Sequence, residues 1–289
     1  MSVLRRLISR SLPWGMRRHV PSRIFMHLYS NGVFNARHNG KIICKLVSNS
    51  HQVENEIYWL GLEGCHEKKS LAIFMKYIEI FKPKVVYDIG ANTGTYGIIA
   101  KAINPESKVY FFEPLTAAMS IVRNNLAVNN FQGHCFELAL TNYNGTGDIY
   151  IDKGKDFAYS VTVNENLQPP GVAVDKLQIK VSRLDTLAEE LNLEPPNLIK
   201  LDVETHEPQV LEGFGELLNT SMVFLIEVLN DDLGLKLQKF FPSDKFDYWN
   251  INDQLGTVRK TESIVKSDFY NYFICSPVQS KVLEETLSK

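Results

Sequence analysis

Cysteine is scarce in this sequence. Cys44, Cys65, Cys135 and Cys275 are scattered over 289 residues, with no C-x-x-C pair and no histidine at metal-ligand spacing. That excludes a zinc ribbon and a disulfide scaffold, and the thiols read as buried and reduced. Also missing is any apolar run approaching the roughly 20 residues that cross a bilayer. No apolar core follows the first arginines, so a secretory leader is not expected and the chain reads as cytoplasmic. Internal repeats and low-complexity tracts are absent too. Acid is lacking at one end: the first fifty residues carry nine Lys and Arg and no Asp or Glu, leaving a balance of −11 in the other 239. The leading Leu4-Arg5-Arg6-Leu7-Ile8-Ser9-Arg10 reads as a short basic amphipathic helix. It either docks on the acidic body or is drawn to an anionic substrate or to a membrane surface, as a peripheral contact. No basic stripe interleaved with aromatics is present, and nucleic acid is not expected as a partner.

What is there is an alternation of strand and helix patterns. Lys41 to Val47 reads as a strand and Glu67 to Phe81 as a helix with Leu71, Phe74, Ile78 and Phe81 on one face. Pro83 stops that helix. Strands at 84–90, 108–113 and 134–140 then alternate with helices at 95–103 and 116–128. The segments 148–152, 160–164 and 177–184 are short, alternating and separated by Gly and Pro, which suggests an antiparallel insertion. Helix 185–191, strand 198–203, helix 207–218 and strand 222–228 resume the pattern, and strands at 246–251 and 271–275 complete it. The expectation is a doubly wound, mostly parallel, seven-stranded Rossmann-like α/β sheet. It divides into an N-terminal basic extension and cap at 1–82 and a main domain at 83–289, the latter with an insertion at about 141–183.

Such sheets bind ligands at the carboxyl ends of their strands. Val85-Val86-Tyr87-Asp88-Ile89-Gly90-Ala91-Asn92-Thr93-Gly94 is an apolar run that ends in an acid and a glycine-spaced turn. Gly90 permits a sharp turn, and Gly94 permits a helix to start close to a bound group. The next strand ends in Glu113-Pro114, 25 residues beyond Asp88, where an acid can accept from both hydroxyls of a ribose. A dinucleotide fingerprint requires glycine where Asn92 stands. An acid facing an ammonium suits S-adenosylmethionine better than NAD. Glu137-Leu138-Ala139-Leu140 ends the third strand and could frame an adenine. Lys200-Leu201-Asp202-Val203-Glu204-Thr205-His206-Glu207 then places three acids and a histidine at the end of an apolar strand.

Asp-Ile-Gly-Ala-Asn-Thr-Gly, Phe-Glu-Pro, the Asn-Leu-x-x-Asn of Asn125 to Asn129, Arg183-Leu184-Asp185-Thr186-Leu187 and Ile-Lys-Leu-Asp-Val-Glu-Thr-His-Glu together resemble the FkbM family of S-adenosylmethionine-dependent methyltransferases. The resemblance runs from about Glu67 to Pro277. It implies that Asp88, Gly90, Asn92 and Gly94 bind the methionine end of the cofactor and Glu113 the ribose. Pro114, Glu137, Ala139 and Glu67 are counted with that set, and Asp202 closes the pocket beside the sulfonium. It further implies methylation of hydroxyls on sugars or polyketide-type products, so a small-molecule or glycan hydroxyl acceptor is expected. The family pattern has glycine where Thr205 stands. Threonine is strained if that position requires φ > 0, and the expectation is that it instead caps the following helix, whose first turn tolerates Pro208.

Transfer to a hydroxyl benefits from a base. His206 titrates in the right range, with Asp202 and Glu204 as alternatives. The bland reading of His206 is a solvated residue in the first turn of a helix. The same acids, with Glu207, are too few for an oxygen-rich metal site, and no metal is assigned. Glu227 also reaches the functional edge, and Tyr96, Phe157 and Tyr159 suggest a stacking wall for a sugar. The competing readings are an NAD-dependent oxidoreductase and a non-catalytic S-adenosylmethionine-binding module.

Overall fold

A computed structural model describes residues 13–17, 19, 31–49, 52–152, 161–162, 174–266 and 270–287. The basic segment 4–10, Phe157 and Tyr159 lie outside the described residues. Two strands, β1 (Asn31–His38) and β2 (Lys41–Asn49), form an antiparallel hairpin. Only the second is legible from β-type periodicity. Its partner is announced by Asn39-Gly40, which adopts φ of 48° and 79° in the two-residue turn.

Helices α1 (Gln52–Leu60) and α2 (Lys68–Phe81) lead into the main unit. There, β3 (Val85–Ile89), α3 (Thr95–Ile103), β4 (Lys108–Phe112), α4 (Thr116–Asn129) and β5 (His134–Phe136) follow as expected. The third strand breaks at Glu137, and β6 (Ala139–Leu140) joins a second sheet. That sheet contains β7 (Gly145–Asp152), β8 (Val161–Thr162) and β9 (Val174–Ser182), in the order β6-β9-β7-β8. Only β6 runs parallel to its neighbour, so the insertion is otherwise antiparallel. The chain returns through α5 (Leu184–Leu191), β10 (Leu198–Leu201), α6 (Glu207–Phe214), β11 (Val223–Glu227) and α7 (Asp231–Gln238). It ends with β12 (Asp247–Asn252), β13 (Thr257–Thr261), β14 (Asn271–Cys275) and α8 (Pro277–Leu287).

The main sheet has eight strands rather than seven, in the order β13-β12-β14-β11-β10-β3-β4-β5. The extra strand, β13, is an exposed edge hairpin partner of β12, too polar to stand out by hydrophobicity. Strands β5, β4, β3, β10 and β11 are mutually parallel, and β14 runs against β11. From β3 the chain proceeds outward through β4 and β5, then crosses back to β10. The crevice between β3 and β10 is therefore the topological switch point, where ligands bind in sheets of this kind.

Side-chain alternation divides the core. Tyr87, Ile89, Ile199, Leu201, Phe224 and Ile226 pack on one face. Val86, Leu198, Val223 and Leu225 pack on the other, together with Phe34, Leu46, Ile57 and Phe74 from the first eighty residues. The hairpin and the first helices thus share one buried cluster with the sheet, and the change at residue 82 is one of element type, not a gap in packing. Asn125 and Asn129 fasten this arrangement. Asn125 accepts from Val47 N–H at 2.7 Å and donates to Thr93 O at 2.8 Å, and Asn129 exchanges bonds with both backbone groups of Lys45.

Candidate active site

The second face of the sheet stays apolar until the strands end, and there it turns charged. Following Val86 on that face is Asp88, following Leu198 is its register partner Lys200, and following Leu225 is Glu227. These three residues, with Asp202 and Glu204, line a cavity of about 340 Å³ at the switch point. Its outer wall comes from the N-terminal part of the chain, through Val53, Ile57, His66, Glu67 and Leu71, and from Asp253, Tyr270 and Asn271.

Asp88 is buried, and its Oδ2 accepts from Gly97 N–H at 2.8 Å in the first turn of α3. Burial pushes its carboxyl up to about 7, against the pull of that N–H and of Lys200. Gly90 has φ of 72°, and a Cβ there would lie 1.8 Å from the Asp202 carbonyl oxygen. It is glycine because two backbones pass each other at the crevice. Gly94 does not meet the cavity: its missing Cβ faces Val122 and Phe111, so it brings α3 against α4 and β4 rather than against a ligand. Asn92 lines the cavity, and its N–H donates to Glu113 Oε2 at 2.9 Å.

Glu113 Oε1 accepts from Leu115 N–H at 2.9 Å, so both of its oxygens brace loop backbone. Burial raises this carboxyl to about 7. It lies outside the cavity lining, as does the half-buried Pro114. Glu137 is turned to the surface of α4, accepting from the Thr116 hydroxyl at 2.5 Å and from Arg123 at 3.2 Å. Ala139 belongs to the second sheet and lines a separate cavity of about 260 Å³. The expected adenine frame at 137–140 is thereby divided, because the strand breaks at Glu137.

Lys200 was given no role by its sequence context, yet it is the cationic centre of the cavity. It is 3% exposed; its Nζ donates to Asp202 Oδ2 at 2.7 Å and lies 5.1 Å from the Tyr96 ring centroid. Burial alone would lower its affinity for a proton, but Asp202 and Glu67 more than reverse that. The legible signal was a lysine inside the apolar run Leu198-Ile199-Lys200-Leu201. Tyr96 is buried in the cavity wall, and its hydroxyl has no hydrogen-bond partner among the described residues. Glu67 also lines the cavity and accepts from Asn271 Nδ2 at 3.1 Å. Beside it, His66 is within 2.9 Å of Glu56 Oε2. Burial would lower the imidazole, but that bond and the charge of Glu67 lift it to about 9. No local signal predicted Asp253, which accepts from Lys69 N–H, Ser70 N–H and the Ser70 hydroxyl across more than 180 residues of chain.

The segment after β10 departs from expectation. Glu204 and Thr205 both have positive φ, 56° and 71°. Thr205 does not cap α6; the N-cap is His206, and it makes no side-chain capping bond. A β-branched residue in that region is strained by roughly 1–2 kcal/mol. The double turn carries Glu204 to the cavity and His206 away from it. His206 Nε2 sits 2.9 Å from Thr141 Oγ1, on the wall of the second cavity beside Ala139, and burial lowers its pKa. The histidine is thus separated from the carboxylates with which its spacing grouped it. Burial, then Asp202, raises Glu204 to about 7. The sequence count of acids also omitted a grouping made by the sheet: oxygens of Asp202, Glu207 and Glu227 lie within 4.8 Å of one another.

An open-edged α/β sheet with an acid-rich cleft at its switch point defines a cofactor-binding domain of the Rossmann-like class. The chain belongs to the FkbM methyltransferase family, since the methyltransferase FkbM domain profile matches residues 88–234, just over half of it. Among curated relatives, Methyltransferase 1 of Beauveria bassiana is 31% identical over 145 residues, which are 45% of this chain and 58% of that protein. The 2-O-methyltransferase NoeI of Sinorhizobium fredii is 25% identical, over 52% of this chain and 65% of its own length. Hexuronic acid methyltransferase AglP of Haloferax volcanii is 26% identical, over 50% and 55%. The chain therefore spans less than two thirds of the length of each of these relatives. A solved methyltransferase from Agrobacterium tumefaciens aligns with 86% of this chain and 71% of its own, at 8% identity and a TM-score of 0.46, a likeness of general architecture only.

Proposed function

We propose that this chain is an S-adenosylmethionine-dependent O-methyltransferase whose acceptor is a hydroxyl of a sugar, a glycan or a glycosylated natural product. The observation that carries the reading is the charge of the cavity. Glu67, Asp88, Asp202, Glu204 and Glu227 face a space in which Lys200 and His66 are the only basic side chains among the lining residues. Such a surplus suits a ligand bearing an ammonium and a sulfonium. It does not suit the pyrophosphate of NAD, and Asn92 adds a side chain where close backbone approach would be needed. The names of two relatives, a 2-O-methyltransferase and a hexuronic acid methyltransferase, support a carbohydrate acceptor.

When bound, S-adenosylmethionine supplies an electrophilic methyl group, the C–S pair returning to sulfur as the acceptor oxygen bonds to the methyl carbon. Asp88 and Asn92 would hold the methionine end; for Glu113 to take the ribose, one of its oxygens would have to release Asn92 N–H or Leu115 N–H and turn to the cavity. Asp202 would stand near the sulfonium, kept in place by Lys200. Glu204 is the best-placed base for the hydroxyl proton, because it lines the cavity and makes no hydrogen bond to another side chain among the described residues. Tyr270, 39% exposed at the edge of the cavity, would offer a polar contact to a sugar.

Calorimetric titration with S-adenosylmethionine, followed by labelled-methyl transfer to a panel of neutral and uronic-acid glycans, tests this. Micromolar cofactor binding, weakened about tenfold or more in Asp88→Asn, and methyl incorporation at a sugar hydroxyl are expected. Absence of binding at millimolar cofactor would refute the cofactor assignment, and incorporation at nitrogen or carboxylate alone would refute the acceptor.

A further inference from the structure

Asp202 ends β10, Glu227 ends the adjacent parallel strand β11, and Glu207 opens α6 beneath them. Each offers one carboxylate oxygen, and these oxygens lie within 4.8 Å of one another. Proximity of acids alone would mean little. Glu207, however, is 0% exposed; its Oε1 accepts from Val203 N–H at 3.0 Å, and its buried Oε2 has no hydrogen-bond partner among the described residues. A buried oxygen left without a donor is costly unless something positive is placed against it.

We propose that Asp202, Glu207 and Glu227 form a binding site for one divalent cation of the hard, oxygen-seeking kind, Mg²⁺ or Mn²⁺, whose free coordination positions take the acceptor hydroxyl. The second half of this statement rests on the function proposed above; the site itself does not. The donor set is all carboxylate, which favours Mg²⁺, Mn²⁺ or Ca²⁺ and disfavours zinc and copper. Mg²⁺–oxygen distances of about 2.0–2.1 Å put two ligands of one ion no more than about 4.2 Å apart, so oxygens within 4.8 Å of one another need to close in by at most about 0.6 Å to share it. Three protein ligands leave about half of an octahedron for water and substrate, as is usual for Mg²⁺. Lys200 takes Oδ2 of Asp202, and a carboxylate has a second oxygen. A hydroxyl bound to the ion loses its proton more readily, the proton passing to Glu204 or to water as the O–C bond forms.

The probe is Mn²⁺, titrated into the full chain without cofactor or acceptor and followed by electron paramagnetic resonance. One saturable site per chain, displaced by Mg²⁺, is expected. Glu207→Gln preserves the shape and the bond from Val203 N–H, and should weaken binding by about tenfold or more while circular dichroism stays unchanged. Glu227→Gln should do the same, which guards against a folding defect in either variant. No saturable binding up to about 10 mM, or affinity within twofold in both folded variants, overturns the site. With the site filled, EDTA should depress methyl transfer at least tenfold and leave cofactor affinity unchanged; transfer that is indifferent to EDTA overturns the acceptor-holding role. Mn²⁺ binding in a protein that methylates no hydroxyl would leave the cation site standing and reject only the function.

Discussion

Replacing Gly90 with alanine tests the geometry of the crevice most directly. Two penalties combine at this position. The first is the positive φ of 72°, which costs an L-residue about 1–2 kcal/mol. It is offset by about 0.4–1 kcal/mol, because alanine has less chain entropy to lose on folding. The second is the Cβ itself, 1.8 Å from the Asp202 carbonyl oxygen and 3.1 Å from Val203 Cγ1. The nearest obstacle is backbone, not a flexible side-chain tip, so β3 and β10 must move apart at their carboxyl ends. Overpacking of this kind costs about 1–3 kcal/mol. The sum is a destabilisation of about 1–4.5 kcal/mol. Gly40 provides the control, since its φ is 79° and nothing lies within 4 Å of its Cβ position. Gly40→Ala should cost only about 1 kcal/mol. Urea titration of the wild type and both variants, with m-values compared, isolates the steric part. S-adenosylmethionine affinity should fall in Gly90→Ala and hold in Gly40→Ala. A stability difference between the two variants of less than about 0.5 kcal/mol would refute the close approach of the strands.

Three further outcomes are expected. Asp88 and Glu113 have folded pKa values near 7, well above 3.8 and 4.5, so the folded chain binds more protons than the unfolded chain between those limits. Their contribution to stability is fully present below the ordinary carboxylate range and is lost as pH rises through 7. The urea midpoint of the cofactor-free protein should therefore fall from pH 5 to pH 8, and Asp88→Asn should flatten the fall; a midpoint that rises over this range contradicts the burial argument. Thr205→Gly relieves a β-branched residue at φ 71° and should stabilise by up to about 1 kcal/mol. A loss of stability would show that the Thr205 side chain holds something the backbone geometry does not reveal. His206→Ala should change methyl transfer by less than about threefold, since the imidazole faces Thr141 and the second cavity. A hundredfold loss would restore the histidine as the base and reject Glu204.

The parts of the fold legible in the sequence were those with strong local periodicity. Strands β3, β4, β10 and β11 are apolar runs because helices cover both of their faces, and each ends where a charged residue or glycine interrupts the run. Asp88, Gly90, Asn92, Asp202 and Glu204 could be assigned to the functional edge on that ground. What failed depended on where the chain turns after a strand. Glu137 and Ala139 are two residues apart, yet the break in the third strand puts them on different surfaces. Glu204 and His206 are likewise two apart, and two successive positive φ values send them to different cavities. Periodicity carries no information about such turns. The contributions of His66, Asp253 and Asn271 depend on tertiary placement alone.

Lys200 shows why the charged end of the sheet is more than a sum of motifs. On its face of β10 it follows Leu198, and its register partners are Asp88 and Leu225, so the pleat that builds the core also delivers a buried cation among acids. Removing water from such a group is unfavourable unless partners repay it. Asp202 does so at 2.7 Å, but Asp88, Glu204 and Glu227 remain, each raised above its ordinary pKa chiefly by burial. The free protein therefore folds around a site that is electrostatically incomplete. A positively charged ligand binds the folded state and has nothing comparable to bind in the unfolded chain, so its affinity appears directly as added stability. The same reasoning makes substitution of Lys200 more damaging than its single charge suggests. Lys200→Met would leave the partly buried Asp202 beside four other acids with only His66 as a cation in the cavity, and the loss should be partly recovered by adding the cationic cofactor.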